Sequence, residues 1–476
     1  MNREEFQDAL RKGLGRAIQH VRNSPPEVVR EDLLHACLNS LAVDQQIEGN
    51  RAPWLFFMLD QTDDMNYYGP RIFERYFDLV QDEIRNDTEY QLFGLICEFA
   101  TEYGNKKAKT EVYRFFDRQF EPEYFDGWFN GKFAIMQMDG IPGLFYVLER
   151  IGRYIKDNNI DYDEGSFSGL YIIEDAERLY GKEEVQAALK VEAEQNEFIR
   201  IYLEWEKAHL EFNDARNSEY QNETNEEKGK RNRVKYPLRE MVDQFLADDF
   251  SNYQNEEKFV KNPVRFFRSL LSSSPYKFMT AGMWAEENDL EHAYQKMCET
   301  DDLVRKTVLL KTFEYRPLLK VEPQLIALLD SDNKELAKSV RDALSNTKHL
   351  FIREKALAML RANPIPPNWF DGLALLENNF QVEDIPTILS SLQANRIADG
   401  DVLHDIVSYL RKMDDNNPSD AFAPILLWMY ENCPCSECRQ DVVERLLEMN
   451  RLPVEIREEC RDDCNPDIRE LVDAQT

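Results

Sequence analysis

The segments VEDIPTILSSL, from Val382 to Leu392, and DAFAPILLWMY, from Asp420 to Tyr430, decide the fold class of this chain. A second segment follows each of them, DVLHDIVSYL from Asp401 and QDVVERLLEM from Gln440. In all four, apolar residues recur at three- and four-residue spacing, which is the period of an amphipathic helix. Two helices in each period of about 40 residues are typical of HEAT and armadillo repeats. The pattern therefore predicts an all-α, HEAT/armadillo-like helical-repeat solenoid.

The pattern extends upstream and becomes irregular in the N-terminal half. SDNKELAKSVRDAL, from Ser331, and IREKALAMLRANP, from Ile352, form another predicted helix pair, and Pro364 lies beyond its end. In the first half, RIFERYFDLVQDEI and YQLFGLICEFATEYG are amphipathic as well, but such segments recur less regularly. We therefore expect a divergent helical array in the N-terminal half.

Composition along the chain predicts three parts. A periodic stretch from Gly181 to about Arg216 predicts one helix of about 50 Å at 1.5 Å per residue. Its apolar stripe consists of Phe198, Ile201, Trp205, Ala208 and Phe212. Residues 217–235 contain almost no apolar residue, which predicts a charged linker or loop. The expected parts are thus a divergent array over residues 1–216, the linker, and a HEAT-like repeat array over residues 236–476.

The charge balance bears on the partner. The chain has 58 Lys and Arg residues against 89 Asp and Glu residues, a formal net charge of −31. Such a surface repels phosphate backbones, which argues against nucleic acid as the main partner. The basic run KGKRNRVK, from Lys228 to Lys235, lacks interleaved aromatic residues and follows an acidic stretch. The balance instead favours a protein partner with a basic surface.

Neither a membrane span nor an export signal is predicted. The strongest apolar stretches, Ile141 to Leu148 and Ala423 to Tyr430, are well short of the roughly 20 residues that a span requires. The N-terminal residues include acids and lack the apolar core of a secretory signal. Single scattered cysteines such as Cys37, Cys97 and Cys298 are usual in reduced compartments. We therefore expect a cytoplasmic protein.

The motifs of the common enzyme classes are missing from the sequence. It contains no GxxxxGK[ST] phosphate loop, no GxGxxG after a strand, no GxSxG elbow and no HExxH pair. Its six histidines have no evident carboxylate partner along the chain. We expect no catalytic residue, no cofactor and no turnover.

A polar loop near the N-terminus is the candidate binding site. Asp44, Gln46, Glu48 and Arg51 follow one another between predicted helices, and Arg16 is close in sequence. In one hypothesis, Arg16 or Arg51 binds a carboxylate or phosphate of a partner through two parallel hydrogen bonds. In the alternative, which we favour, the charged members satisfy one another and the helix ends as an internal polar lock.

Five of the eight cysteines crowd the C-terminus: Cys433, Cys435, Cys438, Cys460 and Cys464. The thiolates of Cys435 and Cys438 are close enough in sequence to share a tetrahedral zinc, with a third ligand from the next helix. No second CxxC follows at the spacing of zinc ribbons or fingers. We favour ordinary packing and expect no bound metal, with a structural zinc and reactive or disulfide-forming thiols as alternatives.

Two stretches resemble a group of bacterial HEAT-repeat-like proteins. The first is GLGRA, Gly13 to Ala17, followed by HACLNSLAVDQQIEGNRAPWL from His35, and the second is CPCSECR followed by EIREECRDDCNPDIREL near the C-terminus. Where the group usually has tyrosine before aspartate and glutamine, this chain has Val43. The resemblance covers both ends of the chain. It implies a helical-repeat fold and assigns neither an activity nor a catalytic residue.

These observations favour a non-catalytic scaffold or adaptor, because stacked helix pairs form a long surface that can hold a protein partner. The alternative is a regulatory or immunity-type inhibitory subunit of a bacterial toxin or defence complex, whose acidic surface masks a basic face. A HEAT-like nucleic-acid enzyme is the third possibility. It would require a basic stripe, whereas the Lys and Arg residues of this chain are mostly interspersed with acids.

Overall fold

A computed structural model of the chain confirms the all-α prediction. It describes all residues except 44, 81–82, 122, 125–128, 163–170, 223, 249–274, 363–367, 396, 398 and 475–476, and it leaves the side chains of residues 45–46 and 217–222 undescribed. No strand occurs in the part of the chain so described. None of the described helices has the length and apolar character needed to cross a membrane.

The described helices are numbered here in chain order. Helices α1–α12 span Arg3–Lys12, Arg16–Arg22, Pro26–Leu38, Gln45–Glu48, Ala52–Gln61, Met65–Leu79, Asp87–Thr101, Lys106–Arg118, Lys132–Asn158, Ile172–Tyr180, Lys182–Gln195 and Glu197–Asn222. Helices α13–α20 span Asn225–Lys235, Leu238–Ala247, Pro275–Trp284, Glu287–Glu299, Leu303–Leu310, Pro323–Ala327, Lys334–Ser345 and Leu350–Leu360. Helices α21–α27 span Asp371–Leu376, Ile385–Ala394, Gly400–Asn416, Ala423–Asn432, Ser436–Glu448, Val454–Cys460 and Pro466–Asp473. Short 3-10 turns occupy Lys311–Phe313, Leu328–Asp330, Val382–Asp384 and Asp420–Phe422.

The chain forms two compact units that do not follow the predicted division. The first unit contains Met1–Asn222, Pro434–Gln440 and Leu452–Thr476, and the second contains Glu223–Cys433 and Asp441–Arg451. The prediction of one C-terminal array over residues 236–476 is therefore corrected. Two C-terminal segments join the first unit because their charged side chains bond to its N-terminal helices, as described below.

The predicted single helix from Gly181 to about Arg216 consists of two helices. Asn196 has extended backbone between α11 and α12, and its side-chain oxygen accepts hydrogen bonds from the N–H groups of Phe198 and Ile199. Asparagine is a strong N-cap, so it ends one helix and starts the next. The buried face of α12 contains Ile199, Tyr202 and Trp205. Of these three residues, only Trp205 belongs to the predicted stripe.

The predicted charged linker, residues 217–235, is largely helical, and this prediction is corrected as well. Helix α12 continues to Asn222, and α13 begins after Thr224. The Thr224 hydroxyl accepts from the N–H of Glu227, whose carboxylate accepts from the N–H of Thr224. This capping box compensates for the scarcity of apolar residues by satisfying two of the first donors of the helix.

Helices of the second unit contact one another in two rows. Helices α17, α19, α21 and α23 contact in succession, and so do α20, α22 and α24. Asparagines at the C-terminal ends of helices in the first row bond each helix to the one before it in that row. The side-chain amides of Asn346, Asn378 and Asn416 donate to the carbonyls of Glu314, Ser345 and Glu377, at 2.5, 2.8 and 3.2 Å. Each link satisfies a carbonyl near a helix C-terminus.

Candidate functional site

The charged residues of the predicted polar loop bond inside the first unit. Glu48 and Arg51 form a 2.6 Å ion pair, and their side chains are 0% and 4% exposed. The Arg51 guanidinium also donates to the carbonyls of Leu10 and Arg11, at 3.4 and 2.7 Å. These carbonyls lie in the last turn of α1, where no partner within the helix is available and a cation is favoured.

The loop also connects to the C-terminal segments of the first unit. The Glu48 carboxylate accepts from the backbone N–H of Ser436, at 3.0 Å, and so caps the start of α25. Arg16 donates to Glu459 at 2.7 Å, and Glu459 is buried. Asp44 and the side chain of Gln46, the other two candidate binding residues, lie outside the described residues. Arg16, Glu48 and Arg51 thus connect segments of the first unit.

The centre of this arrangement is Arg439, a residue that the sequence did not predict to be part of a site. Its guanidinium bonds to both carboxylate oxygens of Asp463 at 3.0 and 2.9 Å, and both side chains are 0% exposed. It also donates to the carbonyls of Lys12 and Gly13. Nothing in the local sequence separates Arg439 from a surface arginine. Its only sequence signal is its position in one of the two stretches that carry the family resemblance.

The C-terminal cysteines are mostly packed in the protein interior. Cys433 is buried in the second unit, and Cys460 is buried in the first. Cys435 and Cys438 lie side by side, and the contact between their thiols, together with burial, raises the pKa of Cys435 above its usual range. Burial raises the pKa of Cys464 to about 11. Raised pKa values leave little of the thiolate form that attacks a disulfide.

Four of the cysteines considered as alternative zinc ligands, Cys435, Cys438, Cys460 and Cys464, belong to the first unit. Among the described residues of that unit, these cysteines form no group of three whose sulfur atoms all lie within 4.8 Å of one another. The Cys464 thiol lies instead at 3.9 Å from the Arg439 guanidinium.

An acidic cleft in the second unit is the candidate functional site. It has a volume of about 190 Å³ and lies between the end of α23 and residues 441–448 of α25. Its floor contains the buried side chains of Leu426 and Val442. Five carboxylates and two guanidiniums form its walls: Asp414, Asp415, Asp441, Glu444, Glu448, Arg411 and Arg445.

Both arginines of the cleft are already paired. Arg411 contacts Asp441 at 2.5 Å, and Arg445 contacts Asp414 and Glu448 at 2.8 and 3.0 Å. This leaves two carboxylates, Asp415 and Glu444, which are exposed and make no ion pair with any described residue. The cleft therefore keeps an uncompensated negative charge.

The Asp414 carboxylate supplies a second, independent sign that the cleft lacks a partner. Its side chain is 5% exposed, and one oxygen bonds to Arg445. The other oxygen, Oδ1, is buried and accepts no hydrogen bond in the described structure. A buried acceptor without a donor costs on the order of 1–3 kcal/mol, so such atoms are rare unless a ligand or water satisfies them.

Elsewhere in the row α17–α19–α21–α23, acidic side chains are paired with a cation of a neighbouring helix. Arg341 of α19 pairs with Asp371 of α21 at 2.6 Å. Lys412 of α23 reaches Glu377, beside α21, at 3.4 Å. From sequence, the spacing of Asp441, Glu444 and Glu448 places three acids on one helix face. It does not tell which of them an arginine of another helix neutralises.

Comparison of the chain with protein-family models, with curated proteins and with solved structures found no match.

Proposed function

We propose that this protein is a non-catalytic helical-repeat scaffold or adaptor that binds a protein partner through a basic surface of that partner. In this proposal a lysine or arginine side chain of the partner enters the acidic cleft. The observation that carries the proposal is that Asp415 and Glu444 make no ion pair in that cleft among the described residues. In addition, the buried Oδ1 atom of Asp414 accepts no hydrogen bond there.

The helix contacts of the second unit support the repeat part of the proposal. In a solenoid, each helix pair contacts only its neighbours and leaves a continuous surface along each row. The two rows, α17–α19–α21–α23 and α20–α22–α24, follow this rule. The asparagine links in the first row recur at its successive helix ends, as expected for related structural units.

The size and chemistry of the cleft favour a single cationic side chain as its occupant. Pockets for drug-sized ligands and cofactors enclose about 300–1,000 Å³. At about 190 Å³ the cleft is smaller, and its apolar floor suits the methylene stem of lysine or arginine. Ammonium and guanidinium groups donate only, which matches the carboxylate oxygens of Asp415 and Glu444 in the walls.

Long-range electrostatics act in the same direction. A formal net charge of −31 attracts a basic surface before contact and raises the association rate at low salt. The proposal includes a cytoplasmic location, since scattered cysteines are usual in reduced compartments. It also includes the absence of turnover, because the sequence lacks the common catalytic motifs.

The experiment compares two double variants of the full chain in their binding of a lysine-rich peptide, measured by calorimetry at two salt concentrations. Asp415→Asn/Glu444→Gln neutralises the unpaired acids of the cleft. Asp332→Asn/Glu354→Gln is the control, because it removes the same charge at exposed positions of the second unit. We expect the cleft variant to lose about tenfold in affinity and the control less than about threefold.

The same peptide with acetylated lysines tests the requirement for charge. We expect it to bind at least about tenfold more weakly, because acetylation removes the ammonium group. Equal losses in the two double variants would show that only the overall charge matters and would overturn the role of the cleft. The absence of any binding by the unmodified peptide would overturn the proposed partner class.

A further inference from the structure

A second cavity, of about 390 Å³, lies in the first unit and is separate from the acidic cleft. Its walls come from α2, from the first turns of α5 and from the segment that leads into α27. Trp54 and Phe57 lie on one face of α5, and Ile18 of α2 adds to the same apolar wall. At this volume the cavity falls within the range of about 300–1,000 Å³ that small organic ligands occupy.

The two aromatic residues of the apolar wall differ: Trp54 is held by a hydrogen bond, whereas Phe57 is exposed. The Trp54 indole N–H donates to the Asp462 carbonyl at 2.9 Å, and the ring is 6% exposed. Phe57, one turn later, is 41% exposed although it is large and apolar. A fixed ring followed by an exposed ring at the rim suits the packing of a flat apolar body.

The polar wall carries one cation without an ion-pair partner. The Arg469 guanidinium donates through Nη1 to the carbonyls of Asp463 and Cys464, at 2.6 and 3.3 Å. These bonds hold it in place but leave Nε and Nη2 unused in the described structure. No carboxylate of the described chain pairs with it. An arginine with a free edge is suited to bind a carboxylate through two parallel hydrogen bonds.

The acids in this wall are neutralised by other residues. The Asp462 carboxylate pairs with Arg22 at 3.0 Å. The Asp463 carboxylate pairs with the buried Arg439. The other arginine of the wall, Arg461, is paired with Glu458 and Asp473. Arg469 is therefore the group that sets the local charge, even though the chain as a whole is strongly acidic.

We propose that this cavity binds a small organic acid with a flat apolar body. The carboxylate of the ligand takes the free edge of Arg469, and its body packs on Trp54 and Phe57. This binding is independent of the proposed partner site, because every residue that carries it belongs to the first unit.

The test uses the full chain and ligand-observed NMR, with phenylacetate, cinnamate and 2-naphthoate as probes and their primary amides as uncharged controls. We expect at least one acid to bind with a Kd below about 1 mM, and its amide to bind at least about tenfold more weakly, because only the acid pairs with Arg469. Binding of no acid below about 5 mM, or equal binding of acid and amide, would overturn the proposal.

Variants then assign the site. Arg469→Gln should weaken the acid at least about tenfold and leave the amide unchanged, because it removes only the charge pair. Arg75→Gln, at an exposed position of α6, is the matched charge control and should change neither. Phe57→Ser should weaken acid and amide alike. Since Phe57 is exposed, this variant tests the cavity even if Arg469→Gln does not fold. Unchanged binding in Phe57→Ser would place the probes elsewhere and overturn the assignment.

Discussion

Arg439 and Asp463 form a two-bond ion pair from which solvent is fully excluded, and the same arginine closes the C-terminal end of helix α1. The carbonyls of Lys12 and Gly13 have no partner within that helix, and Arg439 supplies donors to both. One side chain thus joins the beginning of the first unit to its two C-terminal segments.

Removal of one partner of this pair should be strongly destabilising. We expect Arg439→Met to lower the free energy of unfolding by about 3–5 kcal/mol, because Asp463 is left as a buried, unpaired carboxylate. The double variant Arg439→Met/Asp463→Asn should recover part of the loss. Urea unfolding followed by circular dichroism measures both values. A loss below about 1 kcal/mol in the single variant would contradict a structural role for the pair.

Gly13 and Gly49 allow a matched test of the packing between the end of α1 and the C-terminal segments of the first unit. Both have a left-handed backbone, with φ of +73° and +75°. A methyl group on Gly13 would lie 2.2 Å from the Cys464 sulfur, whereas nothing lies within 4 Å at Gly49. Alanine should cost about 1–2 kcal/mol at either position from backbone strain. Overpacking should add about 1–3 kcal/mol at Gly13 alone. Equal melting temperatures of the two variants would contradict the close contact.

Asn379 should contribute more to the stability of the second unit than Asn395. The buried Asn379 amide donates to the Thr347 carbonyl at 2.9 Å and accepts from the His349 N–H at 2.7 Å. The Asn395 side chain, directly after α22, donates to the Ser391 carbonyl of that helix and makes no other side-chain hydrogen bond among the described residues. Asn379→Ala removes the hydrogen bonds to three backbone groups, since this amide also donates to the Leu375 carbonyl at 3.0 Å, so we expect a loss of about 2–4 kcal/mol. For Asn395→Ala we expect less than about 1 kcal/mol, both measured by urea unfolding. The reverse order would refute this assignment.

Glu206 should make stability depend on pH. Burial raises the pKa of this carboxyl to about 7, although the Tyr202 hydroxyl donates to it at 2.9 Å. The folded chain holds this proton more tightly than the unfolded chain, so stability falls as the pH rises from about 4.5 to 7. Glu206→Gln removes the cost of ionising this carboxyl in the folded chain. The variant should therefore be more stable than the unchanged chain by an amount on the order of 1–3 kcal/mol at pH 8 and near zero at pH 4. Thermal melts across this range test it, with the exposed Glu204→Gln as control. A difference in melting temperature between Glu206→Gln and the unchanged chain that does not vary with pH would contradict the raised pKa.

The sequence alone determined that the chain is helical and where six helices of the C-terminal half lie, namely α19, α20 and α22–α25. Apolar spacing of three and four residues is set by contacts within one or two turns, so a local pattern is sufficient to encode it. Two local signals were nevertheless overlooked. Asn196 divides the predicted long helix, and the capping box from Thr224 to Glu227 starts a helix in the predicted linker. Both are single polar side chains, which hydropathy does not register.

Only the tertiary structure decided which charged residues are buried and which remain unpaired. Arg16 meets Glu459 across 443 positions of sequence, and Arg439 meets the end of α1 across more than 420. Arg469 and Arg439 are both arginines followed by polar and acidic residues, yet Arg469 lines a cavity and makes no ion pair with a described residue, whereas Arg439 lies in a fully buried ion pair. Charge pairing depends on distances of a few ångströms between segments that the chain path brings together. Composition and spacing do not specify which distant segments come together. An arginine is equally compatible with the surface, with an ion pair and with a ligand site, so its local sequence does not tell which of these it occupies.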